Sequence, residues 1–443
     1  MFISINKDNF KLLNKLAVPL IVQNIACMWI GLIDQMFIGR ISADIYGAIG
    51  ITISLMNFMA GIFGYFAVAF HIIGSKKQGE ENKEEFREVF ISSLLIDFVI
   101  GVIYGMLTII LCKFIFKNFY GLSGEALNAA VTYSYITCPY MLFQLVIFSC
   151  SSYFKIKKNT SKLMFISTGA SILNTILDYI FIFGKFGFPK LGTVGAATAT
   201  MISVFINMLI LLLAARKDIV YFFNKDYLQR IKELIKTSLP LAGEELLEGS
   251  IFVLMINAII SNIGINEIGA YLLAKNVLEI ILISMYMYGS AELTLVGEKI
   301  GQHLYGEIKK IAFSGVLISF SIYVVLSIFV IIFKNDVPKM ISNDKNLIGL
   351  ASQIMIPMVI MNLFNPIQTI YKYVLQACSD GKYVLYITAL INVIAFIIIM
   401  ILYMIGWKLW SVFIGFFVNY VLAMFVYLFR LKKVVSKYNT TMP

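Results

Sequence analysis

The chain has 443 residues, of which 60% are hydrophobic and only 14% charged, with a formal net charge of +11. Soluble globular chains carry about 25% charged residues, so this composition excludes an ordinary water-soluble domain. The apolar residues come in long continuous runs rather than in alternation, which excludes a spanning β-barrel and leaves an all-α integral membrane protein set in a lipid bilayer.

The positive charge reads as basic loops retained on the cytoplasmic side, not as a nucleic-acid surface. The five cysteines show no CxxC pairing, and the two histidines, His71 and His303, stand far apart. Neither a disulfide framework nor a zinc centre nor a histidine-based triad is therefore expected. No Walker loop is present, so direct use of ATP is not expected, and nothing in the chain reads as an enzyme or as holding a cofactor.

Lys7, Lys11 and Lys15 precede the first apolar run. That run is long, contains Asp34 and lacks a small-x-small cleavage site, so it is expected to stay as helix 1. Apolar segments follow at about 16–38, 47–73, 89–115, 126–152, 162–183 and 194–215, then at about 238–261, 267–296, 311–333, 348–376, 383–406 and 410–430. Twelve spanning helices result. With the N-terminus inside, Lys and Arg of the inner stretches, Lys372 counted among them, outnumber those outside by roughly three to one. Both termini are thus expected in the cytoplasm of a cell bounded by a plasma (inner) membrane. The inner linker 216–237 is amphipathic, with Ile219 to Phe222 followed by Lys225, Arg230 and Lys232, and reads as a helix lying on the inner leaflet.

The linker divides two similar halves, 1–222 and 223–443, each with six helices. Leu16-Ala17-Val18-Pro19-Leu20 recurs as Ser238-Leu239-Pro240-Leu241, Gly47-Ala48 as Gly269-Ala270, and Pro139 as Pro357. The near-constant offset argues for a parallel repeat, and an even number of helices inserts both halves the same way. Two pseudo-symmetric six-helix bundles around a central cavity suit alternating access better than a simple pore.

Charges inside the apolar runs point to function. Asn174 and Asp178 lie four residues apart on one helix face. A carboxylate at that depth costs about 2.5–3.5 kcal/mol on insertion scales. Asp34 adds a second acid in helix 1. Helix 7 carries Glu244 and Glu248, and helix 8 carries Lys275 and Glu279, each pair at i,i+4. Two readings stay open for these four: an acidic patch that attracts cationic substrates, or an ion-pair network in which Lys275 neutralises Glu248 or Glu279. Asp97 either faces a cleft or pairs with a backbone group. Glu292, near the inner end of helix 8, reads as interfacial. Pro139, Pro357 and Pro366 should bend helices 4 and 10.

Four stretches stand in order along the chain: Leu16 to Asn24 continuing through Ile33-Asp34-Gln35-Met36-Phe37-Ile38-Gly39-Arg40, Leu173-Asn174 through Asp178 to Gly184, Gly192 to Thr200, and Leu293 to Gly301. In these stretches the chain resembles the multidrug and toxic compound extrusion (MATE) transporters. The resemblance implies export of drugs or metabolites, driven by inward flow of Na⁺ or H⁺. It implies a cation site matched by Asp34, Asn174, Asp178 and Thr200, and a C-lobe acid matched by Glu248. At helix 10 the chain carries Asn362 and Asn365 where some relatives carry an acid, so the likeness does not extend to a cation site of that kind there. Two carboxylates, an amide and a hydroxyl suit a hard cation such as Na⁺. The same two carboxylates could instead share one proton.

The sequence expectation is therefore a monomeric, cation-coupled antiporter exporting small organic, cationic or amphipathic compounds. The alternative is a lipid-linked precursor flippase of related fold. That alternative needs a cavity rich in Lys and Arg to hold pyrophosphate, and Lys275 is the one clearly intramembrane cation in the sequence.

Overall fold

The computed structural model describes residues 7–39, 43–219, 227–340 and 344–441. Arg40, the Val220–Phe222 part of the linker, Lys225 and the expected boundary at 222/223 lie outside these residues. Two compact units form. The N-terminal unit is Val22–Lys77 with Asn82–Ser238, and the C-terminal unit is Leu239–Pro443 with Met1–Ile21 and Gln78–Glu81. Arg230 shows why the first part of the helix Tyr227–Glu245 belongs to the N-terminal unit. Its guanidinium reaches Glu85 at 3.1 Å and Glu88 at 3.2 Å.

Sixteen α-helices are described: α1 (Lys7–Gly39), α2 (Ala43–Phe63), α3 (Tyr65–Gly79), α4 (Lys83–Phe114), α5 (Gly124–Ile136), α6 (Tyr140–Ile156), α7 (Thr160–Phe183) and α8 (Thr193–Ala215), then α9 (Tyr227–Glu245), α10 (Val253–Ile263), α11 (Ile265–Gly301), α12 (Gly306–Ile332), α13 (Lys345–Met361), α14 (Asn365–Ala377), α15 (Gly381–Met404) and α16 (Leu409–Thr441). Among the described residues ten segments are long and apolar enough to cross a membrane, and counting each of two bent pairs as one span gives twelve.

The bends have local causes. α5 and α6 meet at 50°, across Thr137-Cys138-Pro139, and α13 and α14 meet at 44°. Pro357 does not make the second break, because it stays inside α13. The break falls at 362–364, and Pro366 occupies the first turn of α14, where its missing N–H costs nothing. The Asn362 amide takes up one backbone group there, donating to the Met358 carbonyl at 3.0 Å. A chain of side-chain amides continues from it, Asn365 donating to Asn362 Oδ1 at 2.9 Å and Gln368 to Asn365 Oδ1 at 2.9 Å. Between α9 and α10 the helix widens into a π-turn over Leu246–Phe252.

In lipid, helices gain little by hiding apolar faces from one another, so close approach and interhelical hydrogen bonds hold them together. In the N-terminal unit, α8 turns a buried face of Gly195, Ala196, Ala197 and Ala199 inward. A Cβ on Gly195 would stand 2.7 Å from the Phe181 carbonyl carbon. The α7–α8 connection opens with Gly184 in the left-handed region, φ +66°, where a side chain would also meet the Lys190 backbone at 2.7 Å. That tight hairpin fixes the face α7 presents to the interior. In the C-terminal unit α11 is the central helix, and every residue from Tyr288 to Gly297 is buried. Around it pack Phe252, Ile256, Met355, Met358 and Phe416. Asn419–Asn392 at 2.8 Å and Thr388–Tyr427 at 2.7 Å tie α15 to α16.

Candidate functional site

Each unit contains one cluster of acids. In the N-terminal unit, the rigid α7 carries Asn174, Thr175 and Asp178. Asn174 Nδ2 donates to Asp178 Oδ2 at 2.9 Å. Thr175 Oγ1 donates to Asp34 Oδ1 of α1 at 3.2 Å. The two carboxyls are neighbours. Asp178 is buried, and its Oδ1 has no hydrogen-bond partner. Thr200 of α8 joins through Tyr133 of α5, whose side chain adjoins it and lies within electrostatic range of both acids.

The structure thus brings Asp34, Asn174 and Asp178 together, and Thr200 at one remove. Sequence reasoning missed Thr175 and Tyr133. It also expected the Asn174 amide to offer its oxygen, whereas here the amide presents its NH₂ to the carboxylate. Asp34 and Asp178 appear in none of the ion pairs among the described residues. Two adjacent carboxyls, one with an oxygen left over, can therefore accept a cation, either Na⁺ or a shared proton.

The C-terminal unit is arranged differently. Lys372 of α14 lies 2.8 Å from Glu244 and 2.9 Å from Glu248 of the α9–π segment. Gln376, one turn further along α14, donates to Glu244 at 2.9 Å. The Glu244 side chain is 5% exposed, Lys372 15% and Glu248 32%, so the triad opens on the Glu248 side. Tyr286, Tyr373, Tyr420 and Tyr427 lie within electrostatic range of it.

Two expectations are corrected here. Lys372 is not a loop charge, because it sits on α14 with its ammonium between two acids, and Lys275 is therefore not the one cation inside the spans. Of the two partners the sequence left open to Lys275, the structure gives Glu279, at 3.7 Å in a separate, part-exposed i,i+4 contact, a type worth about 0.5 kcal/mol or less. A stripe of Gln368, Lys372 and Gln376 at four-residue spacing was the sequence signal for Lys372.

Two further acids lie outside these clusters and in no ion pair among the described residues. Asp97 of α4 is 1% exposed, beside the Ser149 hydroxyl, which is shared with Ser93 at 2.7 Å. Glu292 of α11 is 0% exposed, beside the Gly315 backbone of α12. It is a core residue, not the interfacial one its place in the sequence suggested, because α11 runs on to Gly301 and buries the whole turn.

The MatE family profile matches residues 19–180 and 240–402. The chain is 23% identical over 376 residues to a Bacillus subtilis protein described as uncharacterized transporter YisQ, covering 83% of this chain and 82% of that one. It is 23% identical over 389 residues to multidrug resistance protein MdtK of Pectobacterium atrosepticum, covering 85% and 83%. Among solved structures, one described as the outward-facing conformation of a multidrug resistance MATE family transporter superposes with a TM-score of 0.87 at 18% identity, over 98% of this chain and 97% of that one.

Proposed function

The chain belongs to the MATE family of membrane transporters, and on that premise we propose that it is a cation-coupled antiporter exporting small organic compounds, cationic or amphipathic, by alternating access. The observation that carries this reading is the Asp34–Asp178 pair. Two adjacent carboxyls sit inside a spanning bundle, one oxygen is buried without a partner, and neither acid is in an ion pair among the described residues. An exchangeable cation is the simplest complement to such a pair. Binding it can drive a cycle only if the two lobe arrangements hold it with different affinity.

Na⁺ would use the two carboxylates and the Thr175 hydroxyl, with the Asn174 oxygen after its amide turns over. H⁺ would sit between the two carboxyls. Multi-pass insertion in the plasma membrane with both termini in the cytoplasm, and action as a monomer, belong to the same proposal. The names of the relatives support a multidrug substrate range.

Lys275 and Lys372 are both paired to carboxylates. Neither is left to grip a pyrophosphate, which favours export over the flippase reading. The deciding experiment is efflux of a fluorescent organic cation from vesicles with Na⁺ and pH gradients imposed separately. Wild type should respond to one gradient, and Asp34→Asn and Asp178→Asn should lose that response. Unchanged coupled efflux in both variants removes the assigned site, and efflux indifferent to both gradients removes the coupling.

A further inference from the structure

Glu292 occupies the most enclosed stretch of the protein, in the middle of the run Tyr288–Gly297 that is buried on every side. Its carboxyl rests against α12 at Gly315. A Cβ on that glycine would fall on Glu292 Oε1, 2.5 Å from its Cδ and 3.1 Å from its Cγ. The missing side chain of Gly315 is therefore the space that the carboxyl fills. Among the described residues no side chain donates to either oxygen, the Gly315 backbone lies beside the carboxyl, and no charged group acts on it. α12 offers the Gly315 backbone, and from α14 the titratable group within electrostatic range is Tyr371. Ser319, one turn further along α12, is likewise buried with its hydroxyl unpartnered.

Among the described residues an ionised carboxylate in this cradle would have no counter-charge and no side-chain donor, only the Gly315 backbone beside it. Such a burial is far costlier than that of a neutral acid, and groups so placed stay neutral instead. The α11–α12 packing seen here thus belongs to the protonated form, and losing the proton must move the carboxyl or part the helices. We propose that Glu292 is a proton-binding site of the C-terminal unit, separate from the Asp34–Asp178 pair, and that a proton bound there holds α11 against α12. The proposal goes beyond the export reading, and its test needs no transport.

The test is infrared spectroscopy of the full chain in lipid vesicles at neutral pH, with ¹³C-labelled glutamate to isolate the signal. Wild type minus Glu292→Gln should contain the carbonyl band of a protonated acid. A difference containing only carboxylate bands overturns the proposal. Gly315→Ala closes the cradle in a chain that keeps the acid. It should abolish the same band, and an unchanged band in that variant overturns the assigned place.

Unfolding against pH supplies a second readout. The native state holds a proton that the unfolded chain has lost, so stability falls as pH rises. One such proton makes the wild-type folding equilibrium fall by up to about tenfold per pH unit more steeply than that of Glu292→Gln. Equal slopes for the two proteins over about pH 6 to 8 overturn it.

Discussion

The acid clusters of the two units start from the same material and end differently. Each has two carboxylates projecting from spanning helices. In the N-terminal unit Asp34 and Asp178 face an amide, hydroxyls and a tyrosine. In the C-terminal unit Glu244 and Glu248 face an ammonium. Lys372 is a cation that cannot leave. The contrast separates a pair of acids with no fixed cation among the described residues from a pair that holds one. Two units of like helices can therefore differ in whether the chain itself neutralises a carboxylate pair.

The largest effect should come from removing the fixed cation. Lys372→Met leaves Glu244 buried beside a second acid. Breaking a buried pair on one side costs about 3–5 kcal/mol, read as a lower unfolding temperature in detergent. The Glu244→Gln/Lys372→Met double variant should recover most of that loss, because no uncompensated charge is left at the deep end. A single variant as stable as wild type would mean that the triad does not hold the unit.

The N-terminal cluster should behave in the opposite way. Asp178→Asn removes a buried carboxylate oxygen that has no partner, so stability should hold or rise slightly. Coupled efflux should nevertheless drop by about tenfold or more, the effect of losing a charged contact worth about 1.4 kcal/mol or more. A variant that is both active and less stable than wild type would reverse the comparison, making this cluster the structural one.

Smaller changes are expected from the groups that orient the acids. Interhelical side-chain hydrogen bonds in membranes average about 0.6 kcal/mol and reach about 1.7. Thr175→Val should accordingly weaken the apparent cation affinity of efflux by about three- to twentyfold, and Asn174→Ala by a similar amount. Cation titrations of transport that match wild type in both variants would remove these residues from the site. The smallest effect belongs to Lys275→Met, whose part-exposed pair with Glu279 should change the unfolding free energy by about 0.5 kcal/mol or less. A larger loss would show that Lys275 reaches into the triad after all.

Composition and periodicity carried the architecture, because spanning segments must be long, apolar and internally hydrogen-bonded. The Asn174–Asp178 spacing was legible for the same reason, since an α-helix fixes which residues share a face. What escaped depended on contacts between helices. Thr175 follows Asn174 directly in the chain, yet it serves a different acid on a different helix. Lys372 was counted as a loop charge because a lysine near the end of an apolar run ordinarily marks the inner boundary. Only the approach of α14 to the start of the π-turn shows otherwise. Glu292 was misplaced by judging depth from nearby polar residues, since the helix continues past Glu298 and Lys299 and the surrounding helices enclose it.

The π-turn at Leu246–Phe252 adjoins the C-terminal cluster. A π-turn holds one residue more than the α-helix around it. Glu244 lies before this surplus and Glu248 within it. In an unbroken α-helix two residues four apart lie about 40° apart around the axis, so Glu244 and Glu248 would share a face with or without the turn. The surplus residue acts further on, where it turns every side chain of α10 by about 100° relative to those of α9. The wide turn therefore sets which face α10 lays against α11 and α16, while Lys372 stays between its two carboxylates.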